Sequence, residues 1–116
     1  MINACFYKNK PGNICGFELN GHADFSEEGS DIVCSAVSLL VINTINSIED
    51  FIGEKMACEA DEAEGGFLKV SFPRIQEGGE NPELNLVLKV MEKGLADLES
   101  GYGDFIKVVT KEVPLC

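Results

Sequence analysis

Two residues of this 116-residue chain have the side-chain types of a cysteine-based acyl-transfer site. His22 is the only histidine of the chain, and Cys34 follows it within the same stretch, residues 21–38. A cysteine thiolate is a strong nucleophile, and a nearby imidazole stabilises it as an ion pair and later protonates a leaving amine. The two residues therefore predict acyl-transfer chemistry if the fold brings them within hydrogen-bonding distance.

The histidine follows directly on an alternating, strand-like segment. Residues 14–20 place apolar side chains at every second position, which predicts a β-strand that runs into Gly21 and His22. The polar segment that follows contains one glycine and is typical of a mobile loop. This predicted loop consists of Asp24, Phe25, Ser26, Glu27, Glu28, Gly29 and Ser30.

The cysteine lies at the predicted start of a helix. Apolar residues recur at helical spacing from Ile32, and Gly53 is the expected C-terminal cap. Asp31 is a suitable N-cap, so Cys34 is expected in the first turn, where the helix dipole and free N–H groups favour a thiolate. The backbone N–H of Cys34 or Ser35 is then a candidate oxyanion-hole donor.

The role of Asp31 stays open at the level of sequence. As an N-cap it would fix the first turn, although its negative charge opposes formation of the neighbouring thiolate. Alternatively, it orients His22 as a third member of the site. Asp24, Glu27 and Glu28 are alternative candidates for that orienting role.

The remaining pattern predicts a small two-layer α+β fold with the element order ββαββαβ. Two successive hairpins require antiparallel strand pairs, and two helices are expected to cover one face of a mainly antiparallel sheet. Length favours a single domain, residues 1–116. The predicted strands are 2–10, 14–20, 55–61, 67–72 and 105–113, and the predicted helices are 32–53 and 82–101, with Asn81 as the N-cap of the second. The first helix is apolar on opposite sides, which predicts burial on two faces or self-association.

Composition restricts the classes of partner. The chain has 20 acidic and 9 basic side chains, a formal charge of -11, which argues against direct binding of nucleic acid or an anionic membrane and favours a basic partner. We expect a cytoplasmic protein, since no signal-peptide pattern occurs at the start and the longest apolar run, residues 39–42, cannot span a bilayer. One histidine and no CxxC pair predict no metal site, and no cofactor is expected.

Part of the chain also resembles a known family. The residues Gly21-His22-Ala23, Gly29 and the run DIVCSAVS from Asp31 to Ser38 closely resemble the signature of the ribosomal-processing cysteine protease family, Prp. One variation is Ser35, where the family often has alanine.

The resemblance implies a cysteine endopeptidase that removes a short N-terminal extension from a large-ribosomal-subunit protein. It implies that Cys34 is the nucleophile, that His22 is the general base and that the loop between them is mobile until substrate orders it. It also implies a homodimer and a basic ribosomal protein precursor as substrate, which the acidic composition suits.

Two other functions fit the same residues. The first is a non-catalytic ribosome-assembly or peptide-binding module, in which the loop holds a basic peptide and Cys34 is structural. The second is redox sensing, which requires another cysteine as a resolving partner for Cys34. Rapid alkylation of Cys34 would favour catalysis over the structural role.

Overall fold

The computed structural model describes residues 1–21, 30–61 and 66–113, which form one five-stranded sheet and a layer of helices. The strands are β1 (Ile2–Lys8), β2 (Ile14–Asn20), β3 (Ala57–Asp61), β4 (Phe67–Ser71) and β5 (Ile106–Glu112). The helices are α1 (Ser30–Ser47), which continues into a π-helical turn (Ile48–Ile52), α2 (Pro73–Gln76) and α3 (Pro82–Tyr102).

The sheet has the strand order β3-β4-β2-β1-β5. Every neighbouring pair is antiparallel except β1 and β5, which are parallel. The predicted mainly antiparallel α+β fold is confirmed. The predicted element order lacks only α2, a single turn within the segment that we expected to be an irregular connection. Pro73 is at the start of this turn, where its fixed φ suits a helix, and Ile75 is buried.

Local sequence signals account for most element boundaries. The side-chain oxygen of Asn81 accepts a hydrogen bond from the backbone N–H of Leu84 at 3.0 Å, so Asn81 is the N-cap of α3, as predicted. α3 continues past Gly101 to Tyr102. β1 ends at Lys8, earlier than the alternation indicates, because the chain turns at residues 9–13, where the N–H of Asn9 donates to the carbonyl of Asn13 at 3.0 Å.

The core lies between one face of the sheet and the helices. Phe6 and Phe17 pack on neighbouring strands with ring centroids 5.9 Å apart, and both are fully buried. Helix α1 contributes Val33 to this core, and α3 contributes Leu88. Both long helices therefore cover the same face of the sheet, as the pattern predicts.

Helix α1 is buried on one side only. Val33 and Val37 are buried, whereas the side chains of Leu39 and Ile42 are 73% and 57% exposed. The expectation of burial on two faces is therefore wrong for the single chain, and self-association stays a prediction. Because both sides are apolar, the segment Ile32–Ile52 has the length and composition of a membrane-spanning helix, although its buried side packs in the core.

Candidate functional site

Cys34 lies at a cavity between α1 and the sheet. The thiol-bearing residue is half-buried and borders a cavity of about 330 Å³. One wall is formed by α1 and the opposite wall by strands β1 to β4 and the ends of the second hairpin. The lining residues are Ile2, Leu19, Gly21, Cys34, Val37, Ser38, Val41, Ile42, Ala60, Asp61, Gly66, Phe67 and Leu68.

Gly21 connects this cavity to the predicted histidine. Its backbone N–H donates to the carbonyl of Gly66 at 3.1 Å, which extends the pairing of β2 with β4 by one residue. Its φ is +85°, and a Cβ at this position would overlap the carbonyl oxygen of Met1. Only glycine fits both requirements. The residue immediately before His22 is therefore held rigidly at the cavity that Cys34 borders.

His22 itself and the loop residues Asp24, Phe25, Ser26, Glu27, Glu28 and Gly29 lie outside the described residues. The pairing of His22 with Cys34, and the roles of these loop residues, therefore stay predictions. The same holds for a role of Asp31 in orienting His22.

Helix α1 starts earlier than the sequence pattern indicates. It begins at Ser30, which we expected to end the loop, so Asp31 lies inside the first turn and not at the N-cap position. The spacing of apolar residues reveals only the part of a helix that has buried positions. It does not show that polar residues before the first buried position are also helical.

The earlier start changes the expected hydrogen bonding around Cys34. In an α-helix that begins at Ser30, the N–H groups of Cys34 and Ser35 pair with the carbonyls of Ser30 and Asp31. The unpaired N–H groups of the first turn end at Ile32. These helix bounds disfavour a free N–H group at Cys34 or Ser35, and their role as oxyanion-hole donors stays a prediction.

The described free cysteines lie on different elements of the fold. Cys5, Cys34 and Cys58 are free thiols, and of these three only Cys34 lines the cavity. Cys58 is exposed on β3, where partial burial and the nearby charge of Glu49 raise the pKa of its thiol. Cys5 alternates with the buried Ala4 along β1 and therefore faces away from the helices. This arrangement disfavours a redox pair of Cys34 with Cys5.

Sequence reasoning did not identify the wall of the cavity opposite α1. Ala60 and Leu68 are directly paired across β3 and β4, and Leu68 in turn pairs with Leu19 of β2. These three side chains share the face toward the helices. The alternation within the strands that contain Leu19 and Leu68 indicated a buried face, but the order of the strands, which brings the residues together beside Cys34, is not a local property.

A larger cavity lies between α3 and the β1–β5 edge, with a volume of about 610 Å³. Its walls carry an ion pair of Lys8 with Glu92 at 3.1 Å and a hydrogen bond from Thr110 to the other Glu92 oxygen at 2.7 Å. It contains neither Cys34 nor any other described free cysteine, so its size does not make it the better candidate. Within residues 1–21, 30–61 and 66–113, no three potential ligand side chains form a metal-binding cluster.

The chain is similar to known cysteine proteases. The model of the family described as cysteine protease Prp matches residues 1–107. The ribosomal processing cysteine protease Prp of Bacillus subtilis (strain 168) is 29% identical over 110 residues, which cover 95% of this chain and 97% of the relative.

Two solved structures of the S. aureus ribosomal processing protease Prp show the same fold. The complex with a substrate peptide has a TM-score of 0.83 and 27% identity, and covers 96% of this chain and 100% of that chain. The complex with a covalently linked product peptide has a TM-score of 0.81 and 29% identity with the same coverage. A covalently linked peptide is the behaviour of an enzyme and not of a passive binding module. The chain belongs to the cysteine protease Prp family.

Proposed function

We propose that this cysteine protease is an endopeptidase that removes the N-terminal extension of a large-ribosomal-subunit protein, with Cys34 as the nucleophile and His22 as the general base. The observation that carries the proposal is the cavity shared by Cys34 and Gly21, because Gly21 is covalently followed by His22. A rigid strand end and a helix start are therefore next to each other at one surface cavity.

In the proposed reaction, the Cys34 thiolate attacks the scissile carbonyl carbon and forms a tetrahedral intermediate. The C–N bond then breaks, the protonated His22 gives its proton to the leaving amine, and a thioester remains on Cys34. His22 next removes a proton from water, which attacks the thioester and releases the carboxylate product and the thiol. Neither the formation nor the hydrolysis of the thioester needs a cofactor.

The walls of the cavity favour an apolar substrate side chain beside the scissile bond. Val41 and Ile42 of α1 face Leu68 of β4 and Ala60 of β3 across it. Burying an apolar side chain between these walls contributes binding free energy in proportion to the area removed from water. Residues farther along the substrate can be basic, since the protein carries a net charge of -11 and ribosomal proteins are basic.

The relatives support the choice of substrate class. The Bacillus subtilis and S. aureus proteins are ribosomal processing proteases, and one S. aureus structure holds a substrate peptide. For this chain, we infer a basic ribosomal protein precursor as the substrate and the cytoplasm as the place of the reaction. The acidic surface disfavours direct binding of nucleic acid.

We also propose that the protein is a homodimer that buries the exposed side of α1. Ile32 and Leu39 expose more than half of their surface on this helix, and neither lines the cavity of Cys34. Apolar surface of this kind on a small acidic protein supports an interface with a second copy of the chain.

Mass spectrometry of the precursor after incubation with the enzyme tests the proposed mechanism. We expect the parent protein to release the N-terminal extension, and Cys34→Ala and His22→Ala each to abolish its release. Cys5→Ala is the matched control, because Cys5 is also a free cysteine but does not line the cavity. Cleavage by Cys34→Ala at the parent rate would contradict the proposed nucleophile, and loss of cleavage in Cys5→Ala would show that the effect is not specific to Cys34.

A further inference from the structure

The two edges of the sheet differ in how their backbone groups are satisfied. At the β5 edge, a carboxylate oxygen of Glu99 accepts a hydrogen bond from the backbone N–H of Val108 at 2.9 Å. At the opposite edge lies β3, and no strand of the described part of the chain pairs with its outer side. An unpaired strand edge is a template for binding another extended chain.

The strand registers show which groups of β3 point outward. Gly21 N–H donates to Gly66, and Phe72 N–H donates to the carbonyl of Cys15 at 3.0 Å. Residues that bond to one neighbour alternate with residues that bond to the other in an antiparallel sheet. Even-numbered residues of β4 therefore bond to β2, and the odd-numbered ones bond to β3.

The odd-numbered residues of β4 are paired with the odd-numbered residues of β3: Phe67 with Asp61, Lys69 with Glu59, and Ser71 with Ala57. These β3 residues direct their N–H and C=O groups inward, toward β4. The remaining residues of β3, Cys58 and Ala60, therefore direct their N–H and C=O groups outward, away from the sheet.

The edge of β3 lacks the sequence and backbone features that usually prevent another strand from pairing with an edge. Ala57–Asp61 contains no proline and no lysine, and its register with β4 shows no bulge. The strand is exposed along its whole length. By contrast, the β5 edge carries Lys107 and Lys111 in addition to the contact with Glu99.

Two features identify the occupant. Ala60 and Asp61 line the cavity of Cys34, so the β3 edge is continuous with the candidate active site. Glu59 and Asp61 make the strand acidic, and the basic Lys69 lies one strand inward, opposite Glu59. A second copy of β3 would bring like charges together across the new pair, whereas a basic peptide would bring opposite charges together.

We propose that the extended, basic part of the substrate binds the outer edge of β3 as an added antiparallel or parallel strand, hydrogen-bonded to Cys58 and Ala60. The proposal rests on the proposed protease function for the identity of the peptide. The added strand would hold one part of the peptide outside the cavity. The part that contains the scissile bond would then extend to Cys34.

The variant Cys58→Pro tests the proposal, because it removes only the backbone N–H of residue 58, which points outward from this edge strand. Cys58→Val is the matched control, since it changes the side chain and keeps the N–H group. Both changes are made in a Cys34→Ala background, so the measured quantity is the affinity for a fluorescein-labelled synthetic peptide that spans the cleavage site of the precursor. Fluorescence anisotropy reports that affinity, and circular dichroism and sedimentation report the fold and the oligomeric state.

We expect Cys58→Pro to weaken peptide binding by about three- to tenfold through loss of a hydrogen bond, with Cys58→Val close to the parent. Methylation of alternate backbone nitrogens of the peptide should weaken binding to the parent and have a smaller additional effect on Cys58→Pro. Equal affinity of the proline and valine variants, in folded proteins of the same mass, would overturn the proposal. A change of oligomeric state in the proline variant would overturn the proposal and assign the edge to a second copy of the chain. Absence of peptide binding to the parent would also overturn the proposal.

This readout is independent of the chemical step. If Cys34→Ala cleaved the precursor, the proposed mechanism would fail, yet the affinities would still decide whether β3 binds the peptide. If the affinities of the proline and valine variants were equal while the parent enzyme cleaved the precursor, the edge proposal alone would fail.

Discussion

The backbone N–H of Gly21 donates to the carbonyl of Gly66 at 3.1 Å and joins the end of β2 to the start of β4 beside Cys34. Gly21 reaches this position with a positive φ and in close contact with the carbonyl of Met1. One residue thus joins the first strand, the second hairpin and the chain segment that leads to His22. Its backbone geometry therefore fixes the end of β2 beside the cavity.

Substitution of Gly21 by alanine should therefore impair both stability and cleavage. The left-handed backbone costs about 1–2 kcal/mol for a residue with a side chain, and the overlap with Met1 adds to this cost. Thermal unfolding and kcat/KM for the precursor are the measurements. Gly12→Ala is the control, because Gly12 also has a positive φ but a Cβ added there would meet no atom within 4 Å. Equal losses of activity in the two variants would contradict a special role for the position of Gly21.

The carboxylate of Glu54 is the centre of a partly exposed polar contact, which predicts a pH-dependent stability. Arg74 donates to its two oxygens at 2.7 and 3.2 Å, and the side-chain amide of Asn81 donates to one of them at 3.0 Å. The hydrogen bonds from Arg74, followed by that from Asn81, lower the pKa of Glu54 below its ordinary value of 4.5. The contact therefore stabilises the folded state above that ordinary value, and this stabilisation is lost as the pH falls through the lowered pKa.

We expect Glu54→Gln to lower the free energy of unfolding by about 1–2 kcal/mol at neutral pH, because a charged acceptor is lost. The difference from the parent should shrink as the pH falls below the ordinary glutamate pKa, and urea unfolding at a series of pH values measures it. Asp97→Asn is the control, because its ion pair with Lys93, also 2.7 Å long, is exposed and should contribute little. A Glu54→Gln difference that stayed constant down to strongly acidic pH would contradict the assignment.

Cleavage of the basic precursor should depend on ionic strength. A net charge of -11 attracts a basic substrate over long distances, and salt screens that attraction. We expect kcat/KM to fall by about tenfold or more as the Debye length shortens from about 30 to about 8 Å. Steady-state rates with a peptide of neutral net charge provide the control, and an equal salt effect on both substrates would exclude electrostatic steering.

Substitution of Leu39 by glutamate should separate the proposed homodimer into monomers. The side chain of Leu39 is 73% exposed in the single chain, so a charge there should leave the fold stable while disrupting an apolar interface. Analytical ultracentrifugation of the variant and the parent measures the mass. Leu86→Glu on α3 is the matched control, since Leu86 is also exposed, at 63%. A parent protein that sediments as a monomer, or a Leu39→Glu dimer, would contradict the proposed interface.

Local signals in the sequence were sufficient where one residue determines a structure by itself. Asn81 caps α3 through its own side chain, and Gly53, with φ +77°, ends the continuous helix as predicted. The start of α1 was not predicted correctly, since Ser30 precedes the apolar stripe that marks the helix. α2 was missed because a single turn is too short to show a helical period.

The candidate site was predictable in part. The types and spacing of His22 and Cys34 indicated the chemistry, and Cys34 does line a cavity. The opposite wall, with Ala60 and Leu68, depends on β4 lying next to β2, and a chain pattern does not determine the order of strands in a sheet. The parallel pairing of β1 with β5 is non-local for the same reason.

That parallel pairing has a consequence for the biosynthesis of the protein. β1 is held by β5, and Ile2 N–H donates to the carbonyl of Phe105 at 2.8 Å, so the start of the sheet depends on residues made much later. Contacts between distant parts of a chain form late in folding. A nascent chain therefore lacks a finished sheet until Ile106–Glu112 has left the ribosomal exit tunnel. Since Ile2 also borders the cavity of Cys34, proteolytic activity should appear only after that point in translation.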